Sequence, residues 1–135
     1  MTTFKLQIVT PKGIYKEANV QILNLRTTAG QIGILAHHMP LASGIEISMM
    51  NYVDENGEKK YFAIAGGFIY VSEKETTIIA NAIESPEEID IHRANEAKER
   101  AEKRLSHKED IDVMRAEIAL KKAINRIDVK NNYKT

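Results

Sequence analysis

The chain changes character inside Asn-Ala-Ile-Glu-Ser-Pro-Glu-Glu-Ile-Asp-Ile-His-Arg-Ala, residues 81–94, and the break falls at Pro86. All seven glycines lie between Gly13 and Gly67, and seven of the eight aromatic residues lie at or before Tyr70. From Glu87 to Thr135 there is no Gly or Pro, and 12 Lys/Arg and 11 Asp/Glu fall in 49 residues. Glycine and aromatic residues suit turns and pleated surfaces, whereas dense Ala, Glu, Lys and Arg suit helices. The chain therefore divides into a β-rich head, residues 1–86, and a helical tail, residues 87–135.

The head reads as short strands. Phe4, Leu6 and Ile8 alternate with Lys5, Gln7 and Val9, a period of two that stops at Thr10-Pro11-Lys12-Gly13. Further strands are predicted over residues 20–26, 32–35, 45–53, 59–65, 68–72 and 76–81. Asp54-Glu55-Asn56-Gly57 offers a hairpin turn, because Asn and Gly tolerate positive φ. This spacing suits a β-sandwich or flattened barrel, with the pairing left open.

The tail reads as two helices. Ser85 as cap, Pro86 at the first helical position and Glu88 closing a capping box predict a helix start. Ala94, Ala97, Ala101 and Leu105 form one stripe at helical period; Val113, Ala116, Leu120, Ala123, Ile124 and Ile127 form a second. Between them, residues 106–110 (Ser-His-Lys-Glu-Asp) break the pattern and supply new caps. So short a connection favours an antiparallel hairpin. The seam is mostly alanine, which buries little apolar area. Either the helices simply pack, or they form an element that docks and leaves because little holds it.

The bulk numbers exclude several classes. Lys plus Arg equals Asp plus Glu at 19 each, so no basic field draws nucleic acid or anionic lipid. The absence of cysteine removes disulfides, thiolate metal sites and thiol catalysis. No run of about 18 apolar residues would span a bilayer, and the N-terminus has no secretory signal pattern. Adjacent His37 and His38 point to opposite faces of a strand and lack a third ligand, which favours a structural or contact role. Gly66-Gly67 lacks the residues of a phosphate loop and suits a bulge or a close backbone approach. No catalytic set stands out. Arg93, Arg100 and Arg104 flank the first alanine stripe, and Arg115, Lys122 and Arg126 flank the second. Adjacent flanks would make a cationic cleft fit for a phosphate chain. On the residues alone, a solvated face salt-bridged to Glu96, Glu99 and Glu117 is the simpler account.

Several blocks together resemble one family. In order they are residues 9–13 (Val-Thr-Pro-Lys-Gly), 30–35 (Gly-Gln-Ile-Gly-Ile-Leu) with His38-Met39-Pro40, and 65–71 (Ala-Gly-Gly-Phe-Ile-Tyr-Val). The tail continues with residues 89–94 (Ile-Asp-Ile-His-Arg-Ala), 97–102 (Ala-Lys-Glu-Arg-Ala-Glu), Arg115-Ala116-Glu117 and 123–126 (Ala-Ile-Asn-Arg). From about residue 4 to 130 the chain is similar to the epsilon subunit of bacterial F-type ATP synthase. The resemblance implies an α+β fold: an N-terminal antiparallel β-sandwich followed by a C-terminal antiparallel two-helix hairpin. It implies a non-catalytic central-stalk subunit on the cytoplasmic face of the cell membrane. There it binds the gamma subunit and the c-subunit ring, and the complex couples proton flow to ATP synthesis. Its hairpin would restrain ATP hydrolysis, reaching the alpha and beta subunits when extended and permitting turnover when folded. No membrane insertion and no nucleic acid are implied.

In some relatives the folded hairpin binds ATP as a regulatory ligand, with no cofactor required. Carried over by motif, that site comprises Glu84, Ile89, Asp90, Arg93, Ala94, Arg100, Lys122 and Arg126. Lys122 stands where the best-known ATP binders carry Arg, and loses the planar fork. The resemblance places Gln31 and His38 at the rotor contact; Gln31 replaces a frequent Glu, and Ala36-His37 a common Pro-Gly. Two rival functions are a freestanding sandwich whose tail oligomerises, and an enzyme using the tail cleft on a phosphorylated substrate. The second lacks a base, nucleophile or metal set.

Overall fold

The computed structural model describes residues 2–106 and 112–133. The chain forms two compact units, Met1–Ser85 and Pro86–Thr135.

Among the described residues the first unit holds seven strands: β1 (Phe4–Thr10), β2 (Gly13–Thr27), β3 (Gly30–Leu35), β4 (Leu41–Asp54), β5 (Lys59–Val71), β6 (Glu75–Ala80) and β7 (Ile83–Glu84). They run in the order β1-β6-β5-β4-β2-β3, with β7 beside β5. β2 is long enough to serve twice: it pairs with β1 from Gly13 to Val20, and with β4 and β3 beyond. The sheet thus closes on itself, β1-β6-β5-β4-β2 and back to β1, which removes most free edges. β1 and β6 run parallel; the other described pairings are antiparallel. Alternation along each strand sends Leu6, Ile8, Leu23, Leu25, Ile64, Ile69 and Ile78 into the closed interior, all fully buried.

The turn expected at residues 54–57 is present. Asp54 Oδ1 accepts from the Asn56 and Glu58 amides at 2.9 Å each, and Gly57 takes φ +82°. Residues 59–65 and 68–72, expected as two strands, are one. Gly66 (φ +83°) and Gly67 (φ +145°) lie inside β5, and across them the inward positions switch from Phe62 and Ile64 to Ile69 and Val71. A Cβ on Gly67 would sit 2.1 Å from the Ile79 carbonyl oxygen, so glycine is what lets β6 approach here. The two-residue β7 is too short to leave a period in the sequence.

The second unit is a helix pair, α1 (Ile91–Ser106) and α2 (Val113–Asn132). α1 starts later than the Ser85–Glu88 signal implied. Residues 86–88 form a turn, and Asp90 is the cap: its Oδ1 accepts from the His92 and Arg93 amides at 3.0 and 3.2 Å. Of the capping stretch expected at 106–110, all but Ser106 lies outside the described residues; Ser106 closes α1. α2 is capped by Asp112, whose Oδ1 accepts from the Arg115 amide at 3.1 Å.

Candidate functional site

The helix pair is held by small side chains. Ala94 and Ala101 are the buried residues of α1; Ala116, Ala123 and Val129 are those of α2. Each alanine pair is spaced by seven residues, two turns, so it returns to the same side of its helix. Two expectations fail: Val113 and Ile124, placed in the seam, are exposed, while Val129 is buried. Four alanines and Val129 carry the contact, while Val113 and Ile124 lie on the rim.

At the far end Lys130 Nζ donates to the Pro86 carbonyl at 2.7 Å. This brings the end of α2 to the segment that precedes α1, so the pair is antiparallel. The consequence for charge is geometric. Arg93 and Arg100 each precede a buried alanine by one residue, as do Arg115 and Lys122 on α2; Arg104 and Arg126 each follow one by three. At about 100° per residue, one step back is −100° and three steps forward −60°, the same flank. In two antiparallel right-handed helices facing each other, flanks of the same angular sense fall on the same side. All six cations therefore line one side of the hairpin, and on each helix the repeat is about 10 Å.

Glu96, Glu99 and Glu117 do not neutralise that side. Among the described residues no ion pair joins them to Arg93, Arg100, Arg104, Arg115 or Lys122, all of which are exposed. Arg126 is half-buried. Of the other residues named for a phosphate ligand, Ile89 and Ala94 are buried and Asp90 is committed to the cap that starts α1. Glu84 lies in the first unit, on β7, opposite Ala63. Among the described residues no cluster of three His, Cys, Asp or Glu could hold a metal ion.

On the head, Gln31 is exposed on β3 opposite Arg26. His38 lies half-buried beyond β3, its Nδ1 2.7 Å from the Met39 carbonyl oxygen. His37 takes φ +66°, the conformation a glycine would adopt without cost. Beside it Thr2, Gln21, Ile22, Leu35, Ala36 and His37 line a cavity of about 390 Å³.

The sequence reading missed a larger feature. Pairing registers align Gly44, Phe68, Ile79, Val9 and Ile14 in one outward row across β4, β5, β6, β1 and β2. Phe68, Ile79 and Ile14 are 56%, 46% and 62% exposed. The next row is Ala42, Tyr70, Thr77, Gln7 and Glu17, with one formal charge. Five strands at about 4.8 Å make an apolar strip roughly 19 Å long, the kind of exposed surface that marks a protein contact. Each member is unremarkable alone, and only the long-range registers align them.

Among the described residues no helix is long and apolar enough to cross a membrane. The family model for the ATP synthase delta/epsilon chain β-sandwich domain matches residues 3–86, and that for its long α-helix domain matches residues 87–131. The chain is 44% identical to the ATP synthase epsilon chain of Bacillus cytotoxicus, over 97% of this chain and 98% of that one. It is 44% identical to that of Clostridium novyi, over 94% and 97%, and 45% identical to that of Desulfitobacterium hafniense, over 96% and 98%. The fold is similar to a chain in the Euglena gracilis mitochondrial ATP synthase OSCP/F1/c-ring structure, with a TM-score of 0.78 at 24% identity, covering 90% of this chain and 77% of that one. It is also similar to a chain of the Tetrahymena thermophila mitochondrial central stalk/c-ring structure, with a TM-score of 0.63 at 12% identity, covering 99% and 98%. Two domain matches in series and near-full-length identity establish that this chain belongs to the ATP synthase delta/epsilon family, among the bacterial epsilon chains.

Proposed function

We propose that this chain is the epsilon subunit of the central stalk of an F-type, proton-translocating ATP synthase, peripheral to the cytoplasmic face of the membrane. Its head grips the rotor and its hairpin regulates ATP hydrolysis. The gamma subunit and the c-ring are the head's partners. The apolar strip of Phe68, Ile79, Val9 and Ile14 supplies a contact suited to a permanent neighbour, and Gln31 and His38 supply polar contacts. The hairpin permits turnover when folded and restrains hydrolysis when extended toward the alpha and beta subunits. Nothing in this role needs a catalytic group on this chain.

One observation carries the regulatory half: six cations on one side of an alanine seam. Arg93 on α1 faces Lys122 and Arg126 on α2, and Arg100 stands two turns along the same side, so an anion gripped from both helices holds them together. ATP has the required chain of phosphates, and the proposed contacts are Arg93, Arg100, Lys122 and Arg126. Asp90 acts by fixing the start of α1 beside Arg93, and Ile89 and Ala94 act by packing. The family motif adds Glu84 from the first unit.

Calorimetric titration of the purified chain with ATP tests this. Binding is expected, with Lys122→Arg tightening it several-fold through the restored bidentate fork and Arg100→Ala weakening it by tenfold or more. No heat at millimolar ATP, in this chain and in Lys122→Arg, removes the ligand from the proposal. Truncation after Pro86 tests the division of labour: assembly and coupling persist, and hydrolysis is released.

A further inference from the structure

We infer that Lys130 is the latch of the hairpin: its bond to the Pro86 carbonyl closes the open end and sets the register of α1 against α2. The consequence for ATP hydrolysis rests on the regulatory reading above; the latch itself does not.

The seam positions of α2 recur every seven residues, Ala116 and then Ala123, and the next in the series is Lys130. On α1 they are Ala94 and Ala101, and seven residues before Ala94 stands Glu87, next to Pro86. The bond from Lys130 Nζ to Pro86 O therefore occupies a third layer of the seam. Stepping inward from it pairs Ala123 with Ala94, and then Ala116 with Ala101.

An alanine face is nearly smooth, so sliding one helix by a turn against another would trade one methyl contact for a similar one. A polar group in a seam that has one available partner removes that degeneracy, at some cost in stability. Lys130 is such a group, and Pro86 O is its partner. The Pro86 residue is buried and Lys130 half-buried, so the carbonyl has little water to turn to when the donor leaves. The lysine stem reaches across the end of the pair, where α1 has not begun and no α1 side chain can fill the layer. When the helices part, the ammonium regains full hydration, so the latch releases without leaving a buried charge.

Hydrogen exchange on the full chain tests the latch, because protection of the α2 amides at residues 116–123 reports the opening of the whole hairpin. Three substitutions separate the donor from the stem: Lys130→Ala removes both, Lys130→Met keeps the stem, and Lys130→Arg keeps stem, charge and donor. Protection across residues 116–123 should fall about tenfold in Lys130→Ala and Lys130→Met, the scale of one charge-assisted hydrogen bond, and stay within twofold of the parent in Lys130→Arg. Unchanged protection in Lys130→Met would overturn the inference, as would a loss confined to the last turn of α2, which is fraying. Equal opening in Lys130→Arg would overturn it too. Assembled into the ATP synthase, Lys130→Met should lower ATP hydrolysis. Opening without that change would leave the latch standing and sink the regulatory reading.

Discussion

Replacing Gly67 by alanine should unfold more of the head than any other single methyl. The added Cβ would lie 2.1 Å from Ile79 O, 3.0 Å from Ala80 Cα and 3.1 Å from Ile79 C. All three are backbone atoms of β6, so no side chain can swing aside. β6 must retreat by about 1 Å or more to restore van der Waals distance, at the pairs Gly67–Ala80 and Phe68–Ile79. Two ladder bonds at about 0.5–1.5 kcal/mol each are then compromised. The φ of +145° adds about 1–3 kcal/mol for any residue with a Cβ. The sum, about 2–6 kcal/mol, is a large part of a typical domain's 5–15 kcal/mol. Gly57→Ala is the control: its φ is +82°, but the new Cβ meets nothing within 4 Å, so only a backbone cost of about 1–2 kcal/mol remains. Urea denaturation followed by far-UV circular dichroism should show a midpoint lowered by about 2 M in Gly67→Ala, given a slope near 2 kcal/mol/M. A Gly67→Ala chain no less stable than Gly57→Ala would refute the close-approach argument.

Asp90→Ala should cost about 1 kcal/mol through loss of the cap and fray the first turn of α1, with Asp90→Asn retaining most of the stability; amide exchange at His92 and Arg93 measures it. Burial, reinforced by the nearby Asp54 carboxylate, raises the Tyr52 hydroxyl above its ordinary 10.0. Its neutral form is thus favoured in the folded head. Stability from this group is complete below about pH 10 and falls as pH rises beyond it, because the unfolded chain ionises first; denaturation at pH 9 and 11 should show the loss, diminished in Tyr52→Phe. Charge in the outward apolar row, as Ile79→Lys or Phe68→Asp, should leave the head's melting within about 0.5 kcal/mol and weaken its binding to purified gamma subunit by tenfold or more. Equal binding would remove that row from the rotor contact.

Much of this architecture is written locally. The break at Pro86 is a change in composition, and the alternation at Phe4, Leu6 and Ile8 is a period that any register preserves. What the sequence hides is long-range. The close backbone approach suggested for Gly66-Gly67 is found, but the strands predicted on either side are one, and the pair is what allows that strand to switch its inward face. The start of α1 was displaced because Ser85, Pro86 and Glu88 make a good local cap, yet Asp90 makes a cap too. Local rules do not say which of two capping signals will be used. The six cations were legible one flank at a time. That both flanks share a side follows from the antiparallel pairing, which the short connection predicts and the Lys130–Pro86 bond shows.

The energetics of the two units explain why one chain could carry both a fixed grip and a switch. Among the described residues, sixteen buried apolar side chains form the head's core cluster, most of them Ile, Leu, Val, Met or aromatic, each contributing about 1.5–3 kcal/mol on full burial. The buried seam of the hairpin is four alanines, whose methyl groups contribute about 0.8 kcal/mol each, and Val129, which adds about 1.5–3 kcal/mol. A ligand that binds only the closed pair at 100 times its dissociation constant adds about 2.7 kcal/mol. The ligand term is about half the seam's and far below the head's, so such a ligand can shift the hairpin's opening while leaving the head untouched. Larger residues in the seam would defeat this: Ala94→Leu with Ala123→Leu, if accommodated, would hold the pair shut at any ATP concentration. Under the proposed regulatory role, the alanines set a threshold for opening.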